Sequence, residues 1–266
     1  TACGMEALKR NTTGTQNVAV GKEAGRAITT GSKNIVVGSE AFYANTTGGQ
    51  CVAIGYNSLF ANTTADNNTA VGHGSLQSNT TGTQNTALGS LALDANVAAN
   101  NNTGIGYQAL GATNGASASQ NTSVGSHSMD ANTSGAENTA CGYDTLSDNT
   151  TGSGNVALGA YALADNTSAS NNVGLGYFAL YKNTTGASNV AVGRSALRNN
   201  TTASNNVAVG YDALNANTTG TVNTALGIAT LTANTTASNN TAVGYNALND
   251  NTTGQQNVAV GSQALD

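Results

Sequence analysis

The sequence predicts an all-β chain, a parallel β-solenoid or β-roll of about sixteen coils of 17 residues each. Two observations carry that expectation. Glycine recurs at Gly4, Gly21, Gly38, Gly55, Gly72, Gly89 and Gly106, then at Gly125, Gly142, Gly159, Gly176, Gly193, Gly210, Gly227, Gly244 and Gly261, every step being 17 residues except one of 19. The composition has only 8% charged and 5% aromatic residues, with no Pro or Trp. That is too little charge for a solvated disordered chain and too few large apolar residues for one thick globular core. Small residues at a fixed period point instead to units that bury their apolar side against the next copy.

One unit reads from Asn206 as N-V-A-V-G-Y-D-A-L-N-A-N-T-T-G-T-V. Numbering it from that Asn puts the recurrent glycine at position 5. Position 2 is Val, Ile or Thr, as in Val190, Val207 and Thr224, and position 4 is Val, Leu, Ile or Cys. These residues are stiff at χ1 or otherwise suited to a pleated surface. Position 3 is almost always Ala. Large, small, large describes a strand covered on both faces, one by side chains and one by close backbone approach. On that reading Cys3 and Cys141, at position 4, are buried stand-ins for Val. The glycine then ends the strand because the backbone needs positive φ or lacks room for a Cβ.

Position 8 is Ala, Ser or Thr, and position 9 is Leu in most coils, with Phe42, Met129 and Gly25 as variants. Adjacent apolar positions fit either a second strand or a single helical turn, and both readings stay open. Positions 12 to 15 often read N-T-T-G or N-T-T-A, which are turn formers. The charges fix the register independently. All of them, Lys22, Asp144 and Asp212 among them, fall at positions 6, 7, 10, 11, 16 or 17, which marks those columns as solvent-facing. The chain is thus expected to be one repeat domain over residues 1–266, with a two-residue insertion bulging within 111–120 and with further chain beyond its ends.

Chemistry is sparse. Eight scattered Lys and Arg against 13 Asp and Glu give a net charge of −5, which argues against a nucleic-acid partner. No apolar run of eighteen residues and no lipidation box is present, so no membrane insertion is expected from this segment. Three cysteines far apart make neither a disulfide framework nor a zinc site. Ser126, His127, Ser128 and Asp130 imitate a catalytic string, but neighbours in sequence do not converge as a triad requires. The G-x-G-x-x-A strings at Gly104 to Ala109 and Gly174 to Ala179 are units whose position 3 is Gly. No catalytic, cofactor or metal site, and hence no enzyme, is expected.

The one repeated chemical feature is a row of N-x-S/T sequons at position 12: Asn11, Asn45, Asn62, Asn79, Asn132, Asn149, Asn166, Asn183, Asn200, Asn217, Asn234 and Asn251. They are candidate glycosylation sites on one edge of the coil. The competing reading, and the stronger one, is that Asn and Thr simply build a tight turn. Paired Thr in these turns also raise an ice-binding face as an alternative.

With about three sizeable apolar side chains per coil the core of one chain is thin. The small residues at positions 3 and 8 would suit close contact with other chains. Self-association is expected, as a homotrimer or an end-to-end filament. The string from Asn205 to Ala213, N-N-V-A-V-G followed by a small residue, resembles the N-S-V-A-I-G-x-x-S motif of the YadA-type head domain of trimeric autotransporter adhesins. The longer unit is similar to repeats of phage tail-fibre and bacterial surface-fibre proteins. The resemblance spans essentially the whole chain. It implies a left-handed, trimeric β-roll used for reach and attachment, although the unit here is two or three residues longer and carries Leu after the small residue. The expected function is a structural fibre, stalk or filament subunit at a cell or virion surface or outside the cell. Alternatives are a glycan- or surface-binding adhesin or a tail-fibre shaft, with a host or environmental surface as partner.

Overall fold

The computed structural model describes residues 1–265 and is an all-β parallel solenoid without helices. The chain forms two compact units, Thr1–Glu137 and Asn138–Asp266. The first holds strands β1 (Ala2–Cys3), β2 (Val18–Val20), β3 (Ile35–Val37), β4 (Val52–Ile54), β5 (Thr69–Val71), β6 (Thr86–Leu88), β7 (Thr103–Ile105) and β8 (Thr122–Val124). The second holds β9 (Thr139–Cys141), β10 (Val156–Leu158), β11 (Val173–Leu175), β12 (Val190–Val192), β13 (Val207–Val209), β14 (Thr224–Leu226), β15 (Thr241–Val243) and β16 (Val258–Val260). Within each unit the strands follow chain order in one parallel sheet. Equivalent positions pair, as in Val190↔Val207 and Ala191↔Ala208. The insertion leaves this register intact: Thr103 pairs with Thr122, 19 residues on, and the extra residues lie in the loop.

The strand is turned inside out relative to the expectation. Position 3 faces the core, with Ala191, Ala208 and Ala225 all 0% exposed, while positions 2 and 4 face outward. Cys3 and Cys141 are therefore exposed, not buried substitutes for Val, and Cys51, at position 1, is the buried thiol. The physical reason is the width of the coil. Leu at position 9 already fills the interior, so only a small side chain fits opposite it on the strand. Gly104 shows how tight this is, since a Cβ there would lie 3.2 Å from Leu93 Cγ. Positions 3 and 8 are accordingly interior and offer nothing to another chain. The strand is covered on one face only.

Positions 6 to 11 are neither a strand nor a helical turn. They form a run of turns in which positions 7 and 9 take left-handed φ, as at Asp212 (φ 54°) and Leu214 (φ 51°). N–H groups then alternate in direction. Ala213 N donates to Gly210 O and Asn215 N to Asp212 O inside the coil, whereas Leu214 N donates to Thr230 O and Ala216 N to Thr232 O in the next coil. A bulky residue at positive φ is strained by roughly 1–3 kcal/mol. Full burial of Leu214 and its counterparts holds it there. The position 5 glycines have φ between 120° and 144°. A Cβ on Gly193 would sit 2.5 Å from Gly210 O, so positive φ and lack of room both apply.

Two rows of asparagine complete the core. At position 1, Oδ1 of Asn189 accepts the backbone N–H of Asn206, and its Nδ2 donates to Ala203 O. At position 12, Nδ2 of Asn200 donates to Oδ1 of Asn183, one coil back, and to the same Ala203 O. Amides take these interior places because each satisfies one backbone group and one neighbour, which removes the cost of burying them. Thr at position 13 adds a bond between coils wherever it occurs along much of the chain, as from Thr218 Oγ1 to Thr235 O at 3.0 Å.

Two coils depart from the pattern in instructive ways. In the coil of β2, position 9 is Gly25 and position 12 is Ile28, which is fully buried. A Cβ at Gly25 would lie 2.8 Å from Ile28 Cδ1, so the larger residue at 12 occupies the volume Leu fills elsewhere. In the coil of β7, position 12 is Thr113, and the asparagine row stops: Asn96 Oδ1 and Thr113 Oγ1 are buried without partners. Gly25→Leu alone is expected to cost about 1–3 kcal/mol by overpacking, and G25L/I28N to recover most of it, as read from urea unfolding midpoints. Thr113→Asn, which supplies a donor to Asn96 Oδ1, is expected to raise stability by about 1 kcal/mol in the same measurement.

Candidate functional site

The side chains left for function are those the coil pushes outward, because the interior is filled and closed. Among the described residues there is no cleft or cavity, no cluster of metal ligands, and no helix long and apolar enough to cross a membrane. Gly104 and Gly174 of the dinucleotide-like strings lie on β7 and β11 facing the core, where no phosphate approaches. In the Ser126–Asp130 string, His127 Nδ1 pairs with Asp130 Oδ2 at 3.2 Å and its ring meets Tyr107 edge-on at 5.3 Å. Ser128 instead points inward and is fully buried, so the string is split between inside and outside.

The sequon row lies inside as well. Asn45, Asn62, Asn79, Asn132, Asn149, Asn166, Asn183, Asn200, Asn217 and Asn234 are 0% exposed. Through most of the row both hydrogens of Nδ2 are engaged, one by the neighbouring amide and one by the position 15 carbonyl, as at Asn62, Asn166 and Asn217. The nitrogen that would carry a glycan is thus a core donor in the folded chain. Only Asn11 is exposed and Asn251 half-buried. The turn role, with the amide turned in, is the one the geometry supports.

Four outward columns border one another on the sheet side: Gln and Asn at position 17, β-branched residues at 2, aliphatic residues at 4, and tyrosine at 6. Val207 is 37%, Leu158 41% and Leu226 47% exposed. With half-buried residues at the same positions of the coils between them, as on β11 and β12, they form an apolar stripe of uneven exposure. The tyrosines recur at every second coil of the second unit, at Tyr143, Tyr177, Tyr211 and Tyr245, each 43–52% exposed. Sequence reasoning missed this column, although a 34-residue tyrosine period was there to find. The intervening coils carry Ala160, Arg194 and Ile228 at this position. The Arg194 guanidinium carbon lies 5.9 Å from the Tyr177 ring centre and 5.7 Å from that of Tyr211.

Beside the column, Tyr161 meets Tyr143 at 5.5 Å and Tyr177 at 6.2 Å, nearly perpendicular to both. Phe178 stacks on Tyr161 at 5.2 Å, lies 4.1 Å from the Tyr177 ring centre, and has the Arg198 guanidinium 4.9 Å from its own. The Asp144 carboxylate beside it pushes the Tyr143 phenol above its ordinary pKa. A second cluster sits in the first unit, where Arg26 bonds Glu6 Oε2 at 2.7 Å and the Tyr43 hydroxyl at 2.6 Å, and Tyr43 stacks on Phe60. Lys9 and Arg26 hold the Glu6 carboxyl below the usual carboxylate range.

No protein-family model, curated protein or solved structure matches the chain.

The thiols offer a direct check on which residues face outward. Burial pushes Cys51 up to about 11. The folded chain keeps this proton while the unfolded chain releases it near 8.5, so the stability Cys51 contributes is present below about pH 8.5 and is lost as pH rises toward 11. A thiol reagent at neutral pH is expected to modify Cys3 and Cys141 in the native protein and Cys51 only after denaturation; rapid labelling of all three would contradict the assignment.

Proposed function

We propose that the chain is a non-enzymatic structural element of an extracellular fibre, stalk or filament at a cell or virion surface. The observation that carries this reading is uniformity. Coil after coil repeats one set of backbone and amide hydrogen bonds, and no coil opens a recess that could hold a substrate. Such a chain transmits position over distance and does little chemistry. The resemblance of its unit to YadA-type head repeats points the same way.

Self-association, as a homotrimer or an end-to-end filament, belongs to the same proposal. Its support is the stripe of aliphatic residues at positions 2 and 4. A stable interface needs roughly 800 Å² per partner, and an outward apolar column that recurs coil after coil is the surface on this chain suited to supply it. An adhesive role toward a host or environmental surface is the companion reading, carried by the tyrosine column.

Negative-stain micrographs are expected to show elongated particles, and compact globules would end the fibre reading. Sedimentation equilibrium is expected to give a multiple of the 26.2 kDa chain mass. Introducing Val207→Lys with Val209→Lys is expected to return the protein to the monomer with its circular dichroism unchanged. A wild-type chain that stays monomeric at high micromolar concentration would remove self-association and leave the fold untouched.

A further inference from the structure

The chain is rich in asparagine, and the hydrogen bonds of its coils hold that chemistry in check. An asparagine amide is lost in water when the backbone nitrogen of the next residue attacks the side-chain carbonyl and closes a cyclic imide. The step needs a side-chain amide free to swing, a following nitrogen free of a strong hydrogen bond, and little bulk on the following residue. The coils deny all of these. Asn217 donates through Nδ2 to Asn200 Oδ1 and Gly220 O, and it precedes the β-branched Thr218, whose N–H donates to Thr235 O at 2.8 Å. Asn206 is tied to Gly220 O in the same way and precedes Val207, whose N–H donates to Asn223 O at 2.8 Å. Most asparagines are followed by Thr, Val or Ile, and all but one of the rest by another residue that carries a Cβ.

The exception is Asn114, the only asparagine followed by glycine. It lies in the loop that carries the two extra residues and is exposed, and among the described residues its side chain makes no hydrogen bond. The Gly115 N–H donates to Thr133 O at 3.4 Å, longer than an ordinary bond of this kind. The fold does not require glycine there. Gly115 is not among the residues at positive φ, and a Cβ on it would meet Ser117 Oγ at 3.4 Å and Thr133 O at 3.5 Å, both ordinary contacts.

We propose that Asn114–Gly115 is a self-reacting modification site, at which the Asn114 amide is converted in water to the carboxylate of isoaspartate or aspartate. The Gly115 nitrogen gives up its proton and attacks Asn114 Cγ. The bond from Cγ to Nδ2 breaks, and that nitrogen leaves as ammonia with the proton. Water then opens the imide. Addition at the backbone carbonyl of Asn114 breaks its bond to the Gly115 nitrogen, returns a proton to that nitrogen, and leaves the chain running through Cγ as isoaspartate. Addition at Cγ restores the ordinary chain as aspartate. Nothing is oxidised or reduced, and water is the only co-reactant. Either product makes the net charge of −5 one unit more negative. Isoaspartate also lengthens the backbone by a methylene, and the loop is the place that tolerates it, since Thr103 pairs with Thr122 across the existing insertion. The site goes beyond the fibre reading and does not rest on it.

The test is incubation of the full chain in heavy-oxygen water at mildly alkaline pH, beside a free peptide with the sequence of Gly111 to Gln120. Ammonia release and fragmentation mass spectrometry are read together. One heavy oxygen is expected at position 114, part of it in isoaspartate, with a rate that rises with pH and stays within severalfold of the peptide's. Gly115→Ala adds the Cβ that the loop has room for, and is expected to lose most of the conversion over the same incubation with the melting temperature retained. Asn114→Gln, whose longer side chain closes the ring poorly, is expected to lose it as well and alters only an exposed side chain. An Asn114 that stays intact in the chain while the peptide converts would overturn the proposal. So would equal conversion at asparagines of the coils, or undiminished conversion in G115A.

Discussion

Everything in this molecule depends on each coil being hydrogen-bonded to the coil before and the coil after at every level of its structure. A parallel strand of three residues is too short to hold by itself. It holds here because the turns, the position 13 carbonyls and the two asparagine rows all bond across the same interval. Once the repeat distance is fixed by the strands, a side chain that bonds between two coils finds the same geometry in the next. This explains why residues ordinarily found on surfaces line the interior. The core is less an oil drop than a narrow channel of amides with a stripe of leucine along one wall.

The period, the place of the strand, the turn at positions 12 to 15 and the site of the insertion could all be read from the residues. They follow from spacing, and spacing survives any error about direction. Which face of the strand points inward could not be read that way, because V-A-V is compatible with either orientation until the space opposite is known. The decisive neighbour, Leu at position 9, adopts a left-handed backbone conformation that no propensity scale would assign to it. Asparagine was legible as a turn former but not in its orientation. At the surface it is a turn former or a glycan acceptor, and only the register of the coils reveals that its amide is turned inward. Cys51 was a legible clue, since a buried thiol at position 1 marks that column as interior.

The exceptional coils show how such a chain absorbs change. Gly25 and Ile28 exchange volume within one coil and leave the adjacent coils in register. Thr113 sits where an asparagine belongs, beside the loop that carries the extra residues, and the break is confined to that row. Each disturbance is answered locally because every residue bonds only to its own coil and its immediate neighbours.

That locality bears on how the chain could change over generations. The cross-coil contacts of one 17-residue unit are nearly interchangeable with those of the next, so recombination that removes or duplicates whole units would leave every remaining junction chemically familiar. Reach could lengthen or shorten in uniform steps without any redesign of the interior. A slip by a single residue within a strand would instead set valine against the leucine wall and asparagine against solvent. Selection on such a protein would therefore act on number of units far more freely than on the wording of any one of them.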